Sequence, residues 1–224
     1  MEVKLLAYTR DADAICAAAG KSCYSEKPAS ELINDESPEK VLNRIVGMGH
    51  HSVIEHASFT FSVEGVSRSL THQLVRHRIA SFSQQSQRYV SLDEPTYVVP
   101  DTIEADPEAK EVFEETMERI WSVYRELREK FPAEDARYVL PNACTTNITI
   151  TMNARELLHF FSLRCCNRAQ WEIRDMADRM LALCEEVSPT IFRDGGPPCV
   201  RGPCPEGKLS CGKPRKKSRS SSNP

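Results

Sequence analysis

The chain has 224 residues, of which 40% are hydrophobic and 27% charged, and its net charge is −3. These proportions are those of an ordinary globular protein and exclude collagen-like, membrane-spanning and wholly disordered chains. The charge is uneven, because residues 201–224 carry seven Lys or Arg and one acid, which leaves −9 on residues 1–200.

The N-terminus contains no pattern that predicts a leader or a membrane anchor. Its first residues include Glu2, Lys4 and Arg10, and no window approaches the roughly 18 apolar residues of a transmembrane helix. The nine cysteines are odd in number and scattered, which predicts reduced thiols rather than a disulfide framework. We therefore expect a cytoplasmic protein with no membrane partner.

The first third of the chain alternates between strand and helix patterns. The predicted elements are a strand Val3–Tyr8, a helix from Asp11 or Asp13 to about Cys23, a helix from Pro38 to about Gly49, and a strand His56–Glu64. Ser37 is predicted to cap the second helix. Phe59, Phe61 and Val63 alternate with polar residues, as a half-buried strand requires.

Longer helices dominate the rest. The predicted elements are a helix at about Val66–Arg76, a polar irregular stretch up to Arg88, a helix at about Pro107–Phe131, a strand Thr145–Met152, and helices at about Ala154–Cys165 and Arg168–Val187. The apolar stripe of the longest helix is predicted to be core: Phe113, Met117, Ile120, Trp121, Tyr124 and Leu127.

Strands and helices do not alternate regularly, and neither GxGxxG nor GxxxxGK[ST] occurs, so an α+β fold is favoured over a doubly wound one. The length predicts one domain or at most two small ones, and because the composition changes beyond Ser188, a single domain over residues 1–190 is expected. A tail rich in Cys, Gly and Pro, then basic and Ser-rich, would follow over 191–224 and be disordered from about 213.

Arginines and histidines concentrate in stretches that lack acids. Between Glu64 and Asp93 there is no Asp or Glu, and the bases there are Arg68, His72, Arg76, His77, Arg78 and Arg88. Two later stretches contain Arg137 and Arg155, and then His159, Arg164 and Arg168. Because guanidinium groups bind phosphate oxygens bidentately, this pattern indicates phosphorylated ligands. The alternative is solvated arginines or ion pairs with distant carboxylates.

The segment RHRIASFSQQSQRY, residues 76–89, indicates more closely where such a phosphorylated ligand would bind. Three consecutive cationic side chains at a helix end cannot face one ligand while the helix continues, so we expect the backbone to open into a loop there. The Ser and Gln residues that follow offer donors and acceptors suited to a nucleobase or a phosphate.

This segment resembles the signature of the flavin-dependent thymidylate synthases, RHR followed after seven residues by Ser, here Arg76-His77-Arg78 and Ser86. Further similar blocks occur in the same order: GHHSVIEH at 49–56, FTF at 59–61, Gln73, ARYVLP at 136–141, MNARELLHFFSLR at 152–164 and NRAQWEIR at 167–174. The resemblance covers about residues 1–190. It implies a mainly antiparallel sheet flanked by helices.

The resemblance also implies the reaction, which is reductive methylation of dUMP to dTMP. Methylenetetrahydrofolate would supply the carbon, and FAD reduced by NADPH the hydride. Residues matching flavin contacts are Ser52, Glu55, Arg76, His77, Arg78, Asn153, Arg155 and His159. Residues matching dUMP contacts are Gln73, Gln84, Ser86, Gln87, Arg88, Arg137 and Arg164. The family implies a homotetramer with active sites at subunit interfaces.

Three residues match catalytic positions. Arg164 is expected to stabilise negative charge on the uracil carbonyl oxygen, and His50 to lie beside the flavin on the folate side. Ser86 is open to two interpretations, a nucleophile or a phosphate hydrogen bond, and the second is favoured. Cys165 and Cys166 also invite a nucleophile interpretation, but buried side chains are the commoner case.

Some positions depart from the family pattern or match it loosely. Gln84 stands where many members have Glu, and Arg168 where a histidine can stand. Either Ser22 or Ser25 matches a serine that contacts FAD.

The tail and the overall charge bear on other functions. Cys199, Cys204 and Cys211 are one ligand short of a closed zinc site, so no metal is predicted. The basic end favours a solvated tail over specific nucleic-acid binding. The rival functions are a flavin- and folate-dependent uracil methyltransferase acting on RNA, which the acidic body disfavours, and a non-catalytic protein that binds nucleotide or nucleic acid.

Overall fold

The computed structural model describes residues 1–33 and 35–216, and within them four strands form one antiparallel sheet. The strands are β1 (Glu2–Tyr8), β2 (Ser58–Ser67), β3 (Ser81–Gln84) and β4 (Thr145–Asn153), in the order β1-β2-β4-β3. The disorder expected from about residue 213 falls mainly on 217–224, which lie outside the described residues.

Helices occupy most of the remaining described chain. They are α1 (Ala12–Ser22), α2 (Ala29–Leu32), α3 (Pro38–Gly47), α4 (Arg68–Leu74), α5 (Asp101–Glu104), α6 (Pro107–Lys130), α7 (Ala133–Ala136), α8 (Ala154–Arg164), α9 (Trp171–Val187) and α10 (Pro189–Phe192). Short 3₁₀ helices span His51–His56, Arg137–Val139, Pro198–Val200 and Gly207–Leu209. None of the helices in the described ranges is long and apolar enough to cross a membrane.

The chain groups into two compact units. Unit 1 comprises Met1–Glu2, Val63–Arg76 and Phe82–Thr149. Unit 2 comprises Val3–Ser62, His77–Ser81 and the chain from Ile150 onward. The predicted division at residue 190 is a different one, based on composition, and stays a prediction.

The core of unit 1 is built on α6. Asp106 caps this helix by accepting hydrogen bonds from the backbone N–H groups of Glu108 and Ala109, each at 3.1 Å. Met117, Trp121 and Tyr124 of its predicted stripe are buried. The core role predicted for the stripe is therefore confirmed at these three positions.

Aromatic side chains form the core of unit 2. The ring of Phe192 in α10 meets those of Phe59 in β2 and Phe161 in α8 edge-on, with centroids 5.2 and 6.0 Å apart. The face of β2 that was predicted to be buried is buried. This packing holds α8, which carries several predicted site residues, against the sheet.

Several boundaries differ from the sequence predictions. Strand β2 runs on to Ser67, because Gly65 adopts a φ of +69° and shifts the alternation so that both Val63 and Val66 are buried. The Ser67 hydroxyl accepts a hydrogen bond from the Leu70 backbone N–H at 3.0 Å, so α4 begins later than predicted. It also ends earlier, at Leu74.

Two further predictions were wrong in detail. Part of the stretch expected to be irregular, Ser81–Gln84, is strand β3, which pairs with β4 although it has a single apolar residue. Helix α9 begins at Trp171 rather than Arg168, because the Gln170 side chain accepts hydrogen bonds from the backbone N–H groups of Glu172 and Ile173.

Candidate active site

His77, the middle residue of the RHR segment, is buried in unit 2 between Glu156 and Arg164. Its side chain reaches Glu156 Oε1 through Nδ1 at 3.2 Å, and Arg164 donates from Nε to His77 Nε2 at 3.1 Å. The exposed fractions of His77 and Glu156 are only 6% and 7%. Helix α8 supplies both partners, one from its first turn and one from its last residue.

The protonation of His77 follows from this setting. Burial lowers the pKa of His77 below its ordinary value, an effect that the hydrogen bond with Glu156 opposes and the charge of Arg164 supports. The imidazole is therefore neutral near pH 7. A proton on Nδ1 satisfies the Glu156 carboxylate and leaves Nε2 as the acceptor for Arg164. One carboxylate thus fixes the tautomer and, through it, the orientation of a guanidinium.

Two rings hold the imidazole in place. Phe160 meets it edge-on at a centroid distance of 4.9 Å, and His159 does so at 6.0 Å. Phe160 is fully buried, whereas His159 is exposed. The His77 side chain is therefore confined by packing as well as by hydrogen bonds.

The first turn of α8 faces a cavity of about 460 Å³ within unit 2. Its lining residues are Glu55, Ile79, Asn153, Arg155, Glu156 and His159. Asn153 Oδ1 caps the helix by accepting from the Glu156 backbone N–H at 2.9 Å, and Arg155 forms an ion pair with Glu55. Four residues predicted to contact flavin therefore meet at one cavity.

A larger cavity of about 490 Å³, also in unit 2, shares Arg155 and His159 with the first. His51 lines it as well, together with apolar side chains that include Leu158 and Ile191. The predicted contacts His50 and Ser52 are exposed and line neither cavity.

The arginines on either side of His77 are exposed, in contrast to the buried imidazole. Helix α4 ends before them, so the backbone opens as predicted, and Arg76 and Arg78 are exposed. Neither forms an ion pair with any residue in the described part of the chain. Both guanidinium groups therefore remain available to an anionic ligand.

The residues predicted to bind nucleotide form a polar group in unit 1. Gln84 donates from Nε2 to the hydroxyls of Thr71 at 3.1 Å and Thr146 at 3.3 Å. Gln87 donates to Cys144 Sγ at 3.5 Å. The Gln that replaces the family's Glu is therefore anchored by two threonine hydroxyls.

Arg88 and Arg137 converge on one short helix of unit 1. Arg88 forms an ion pair with Glu134 at 3.2 Å, and Arg137 donates from Nε to the Glu134 carbonyl oxygen at 3.2 Å. The Arg88–Glu134 pair is half-exposed on both sides, and such pairs contribute little to stability. The ion-pair alternative thus holds for Arg88, yet a phosphate could displace Glu134 at little cost.

Ser86 has no activated-nucleophile geometry. Its Oγ accepts from the backbone N–H of Arg88 at 3.2 Å, and no histidine or carboxylate in the described ranges bonds to it. A serine needs a neighbouring base to attack. The hydrogen-bonding interpretation of Ser86 is therefore the one that the geometry supports.

Comparison with known proteins decides the family. A family model described as thymidylate synthase complementing protein matches residues 4–190. A curated relative from Geobacter sulfurreducens, named flavin-dependent thymidylate synthase, is 54% identical over 95% of this chain and 94% of its own. The chain therefore belongs to the family of flavin-dependent thymidylate synthases. Relatives of the same name from Clostridium tetani and Pyrococcus furiosus are 51% identical over 95% of this chain and 94% of the relative, and 47% identical over 93% and 91%.

The fold is similar to that of a solved structure, a UMP/dUMP methylase, PolB, from Streptomyces cacaoi bound with 5-Br dUMP. The TM-score is 0.75 and the identity 23%, over 86% of this chain and 93% of that chain. At this identity the likeness supports the fold alone. It confirms the predicted α+β class with its antiparallel sheet and flanking helices.

The family's two sets of predicted contacts separate by unit. The flavin set falls in unit 2 apart from Arg76, and the nucleotide set falls in unit 1 apart from Arg164. Arg164 is the residue of the nucleotide set that His77 of the flavin set binds directly. The buried His77–Arg164 contact therefore joins the two predicted functions within unit 2.

The sequence patterns did not single out Glu156 as a site residue. The run from Asn153 to Glu156 has the spacing of a capping box, whose acid ordinarily reaches back to its own helix end. Here the Glu156 carboxylate instead meets His77, which lies 79 residues earlier. Its acidity inside an otherwise base-rich stretch was the available signal.

Cys165, the cysteine that follows Arg164, is not placed to act as a nucleophile. Cys165 is buried, and burial together with Asp178 raises its pKa far above the ordinary value, so it does not form a thiolate. The nucleophile interpretation of Cys165 is thus unsupported. Arg168, the other departure near this point, forms an ion pair with Glu206 at 3.1 Å.

No three His, Cys, Asp or Glu side chains in residues 1–33 and 35–216 are arranged to hold a metal ion as they stand.

Ser22 lies at the end of α1, where its hydroxyl donates to the Ala19 carbonyl at 2.9 Å, and Ser25 is exposed. Neither lines the two cavities described above.

Proposed function

We propose that this protein is a flavin-dependent thymidylate synthase that converts dUMP to dTMP. Methylenetetrahydrofolate would supply the carbon, and FAD reduced by NADPH the hydride. The observation that carries the activity is the 54% identity over 95% of the chain to a relative of that name. The finer assignments, to co-substrates and to individual residues, rest on the sequence blocks and on the chemistry of the side chains.

The cavity at the start of α8 fits a flavin dinucleotide by its donor set. Arg155 offers a guanidinium for phosphate, and Asn153 and His159 offer hydrogen bonds for a polar ring edge or a ribityl chain. Bound FAD would supply the hydride itself, so the protein has to orient and polarise. Glu55 would set the position of Arg155 through their ion pair.

Arg164 is proposed to stabilise charge on the nucleotide. When uracil becomes nucleophilic at the carbon that accepts the methylene group, negative charge grows on its carbonyl oxygen, and a fixed cation lowers the energy of that state. The Nε–H group of Arg164 donates to His77, which holds the guanidinium beside the buried imidazole. Glu156 and His77 would hold the guanidinium rigid, which saves reorganisation during the reaction.

Arg88 and Arg137 are proposed to bind the dUMP phosphate. Both are held near Glu134, and a dianionic phosphate would displace this single carboxylate from Arg88. Ser86 would add a hydroxyl contact. Gln73, Gln84 and Gln87 would bind the nucleoside, since amides match its donors and acceptors.

Assembly into a homotetramer with active sites at subunit interfaces is part of the proposal. Tyr89 and Tyr138 are 80% and 83% exposed, and each stacks against the adjacent Arg88 or Arg137. Large aromatic side chains left this exposed beside ligand residues favour cover by a second copy of the chain. His50, also exposed, would meet folate on the outer side of the flavin.

A cytoplasmic location completes the proposal. The odd number and scattered placement of the nine cysteines support it, because such cysteines are typical of reduced thiols in a reducing compartment. The RNA-modifying alternative is not favoured, because residues 1–200 carry a net charge of −9 and the named relatives are thymidylate synthases. A non-catalytic binding protein is disfavoured by the same relatives.

The first test is the visible absorption of protein that has been supplemented with FAD and then desalted. Under anaerobic NADPH we expect retained flavin bands to bleach, with a rate or spectrum that dUMP alters. Arg155→Ala should retain less flavin, and Lys130→Ala, an exposed change on α6, serves as the control. Loss of all flavin from the unsubstituted protein, with no effect of dUMP, would refute the proposed flavin site.

A further inference from the structure

Four cysteine thiols of unit 2 line one cavity of about 300 Å³. Three of them, Cys199, Cys204 and Cys211, come from the C-terminal segment, and the fourth is Cys166, just after α8. The sequence by itself offered three thiols, one short of a closed zinc site. The fold supplies the missing fourth from a residue 33 positions before Cys199.

Two of these sulfur atoms accept hydrogen bonds from backbone N–H groups. The N–H of Arg215 donates to Cys199 Sγ, and that of Lys213 donates to Cys211 Sγ, each at 3.4 Å. Hydrogen bonds of this kind stabilise a thiolate, and metal-bound thiolates are commonly found with such donors.

The segment that carries the three tail thiols is tied to the segment that carries Cys166. Asn167 donates from Nδ2 to the Lys213 carbonyl at 2.8 Å, and Arg168 forms an ion pair with Glu206. Asn167 and Arg168 directly follow Cys166, whereas Glu206 lies between Cys204 and Cys211 and Lys213 lies two residues after Cys211. Both contacts hold the C-terminal segment beside the residues that follow Cys166.

Arg215, near the end of the described chain, makes a further contact between the C-terminal segment and the rest of unit 2. Arg215 donates to the Cys165 carbonyl at 2.6 Å and forms an ion pair with Asp178 at 2.7 Å. Its guanidinium and that of Arg168 stand near the cavity as positive charges. A four-thiolate site with a divalent ion would carry a net charge of −2, and these guanidinium groups would offset it only in exchange for their ion pairs with Glu206 and Asp178.

We propose that Cys166, Cys199, Cys204 and Cys211 bind one Zn²⁺ ion. The four thiols lose their protons to solvent, and four Zn–S bonds of about 2.3 Å form in a tetrahedron. No three of these side chains are arranged to share an ion as they stand in the described chain, so binding would require the cavity to contract. The ion would fasten the C-terminal segment onto the end of α8, two residues beyond Arg164.

Zinc is favoured by the ligands and the setting. Four thiolates in a closed site suit a d¹⁰ ion that has no redox chemistry, and sites of this kind stabilise small irregular segments. Residues 198–212 have little regular structure beyond two short 3₁₀ helices and contain no buried large side chain. A metal would give this segment the stability that a hydrophobic core does not.

The test measures metal in the full-length protein, independently of catalysis. We expect about one zinc per chain by elemental analysis after purification without chelator. Cys204→Ser and Cys211→Ser should each lose most of it, whereas the matched control Cys23→Ser, an exposed cysteine outside the cavity, should keep it. Replacement of zinc by Co²⁺ in the unsubstituted protein should give the intense absorption of tetrahedral cobalt thiolates, so the test stands even if a variant fails to fold.

Three results would overturn the proposal. One is a protein that takes up neither zinc nor Co²⁺ after reduction. Another is stoichiometric iron in place of zinc. The third is an intact mass showing that the tail cysteines are paired as disulfides. Because metal content and Co²⁺ spectra are read without substrate, a failure of thymidylate synthesis would leave this proposal standing, and the reverse also holds.

Discussion

The buried contact between Glu156 and His77 makes a quantitative prediction. In Glu156→Ala the Nδ1–H group of His77 loses its partner inside the protein, where an unsatisfied donor costs about 1–3 kcal/mol. The missing side chain also leaves a small cavity, so we expect a total loss of about 3 kcal/mol in the free energy of unfolding. Glu156→Gln keeps an acceptor oxygen, and its loss should be about 1 kcal/mol.

The same substitutions change the protonation of His77. The hydrogen bond with Glu156 raises a pKa that burial otherwise lowers, so Glu156→Gln should lower the pKa of His77 further. Because the folded pKa lies below the unfolded one, the unfolded chain binds more protons in the interval between them. The contribution of His77 to stability is therefore complete above the unfolded pKa and is lost as the pH falls through the folded pKa. In Glu156→Gln this loss should extend to lower pH.

Urea unfolding of the three proteins across pH, with ¹⁵N spectra of the histidine rings, measures both effects. The control is Glu55→Ala, which removes an exposed ion pair with Arg155 and should cost less than about 1 kcal/mol. The reasoning is refuted if Glu156→Ala unfolds at the same urea concentration as the unsubstituted protein. It is also refuted if the His77 ring is already protonated on both nitrogens at pH 7.

Three further predictions concern single side chains elsewhere in the described chain. Arg164→Ala should lower turnover far more than it weakens dUMP binding, and near-normal turnover would contradict its catalytic role. Arg88→Ala should weaken dUMP binding about 10- to 100-fold, the value of a charge-assisted contact, with the smaller effect on turnover; titration calorimetry measures the first and a steady-state assay the second. Ser67→Ala removes the cap of α4 and should cost about 1 kcal/mol, measured by urea unfolding, with Ser122→Ala as the comparison because Ser122 is an exposed serine inside α6. Equal stability of the two serine variants would show that the cap contributes nothing.

Regular patterning made much of the fold predictable. Strand β2 and helix α6 each bury one face with a clear period, and Asp106-Pro107 marks the start of the helix. Strand β3 could not be predicted in this way, because it has one apolar residue and depends on pairing with β4. Local periodicity reports which face is buried, whereas edge pairing depends on residues far away in the sequence.

The candidate site was predictable where charge was unusual. The acid-free run around the RHR segment pointed to Arg76 and Arg78, which are exposed and make no ion pair within the described chain. The same run gave no sign that His77 would be buried, because its partner Glu156 is 79 residues away. Ion pairs such as Arg88–Glu134 were hidden for the same reason.

Tertiary proximity also explains the thiol cavity. Counting cysteines in the tail gave three ligands, and only the fold brings Cys166 to join them. Counting cysteines in the sequence identifies metal ligands that are near one another along the chain. It misses a ligand contributed by the end of a helix elsewhere.

The most direct test of the central claim is the appearance of dTMP, followed by mass spectrometry. The complete mixture contains the protein, FAD, NADPH, methylenetetrahydrofolate and dUMP, and parallel mixtures each omit one component. We predict dTMP in the complete mixture and none when the folate, the reductant or dUMP is left out, with formation reduced when FAD is removed from the protein. Absence of dTMP from the complete mixture, with a folded protein that retains FAD, would contradict the account.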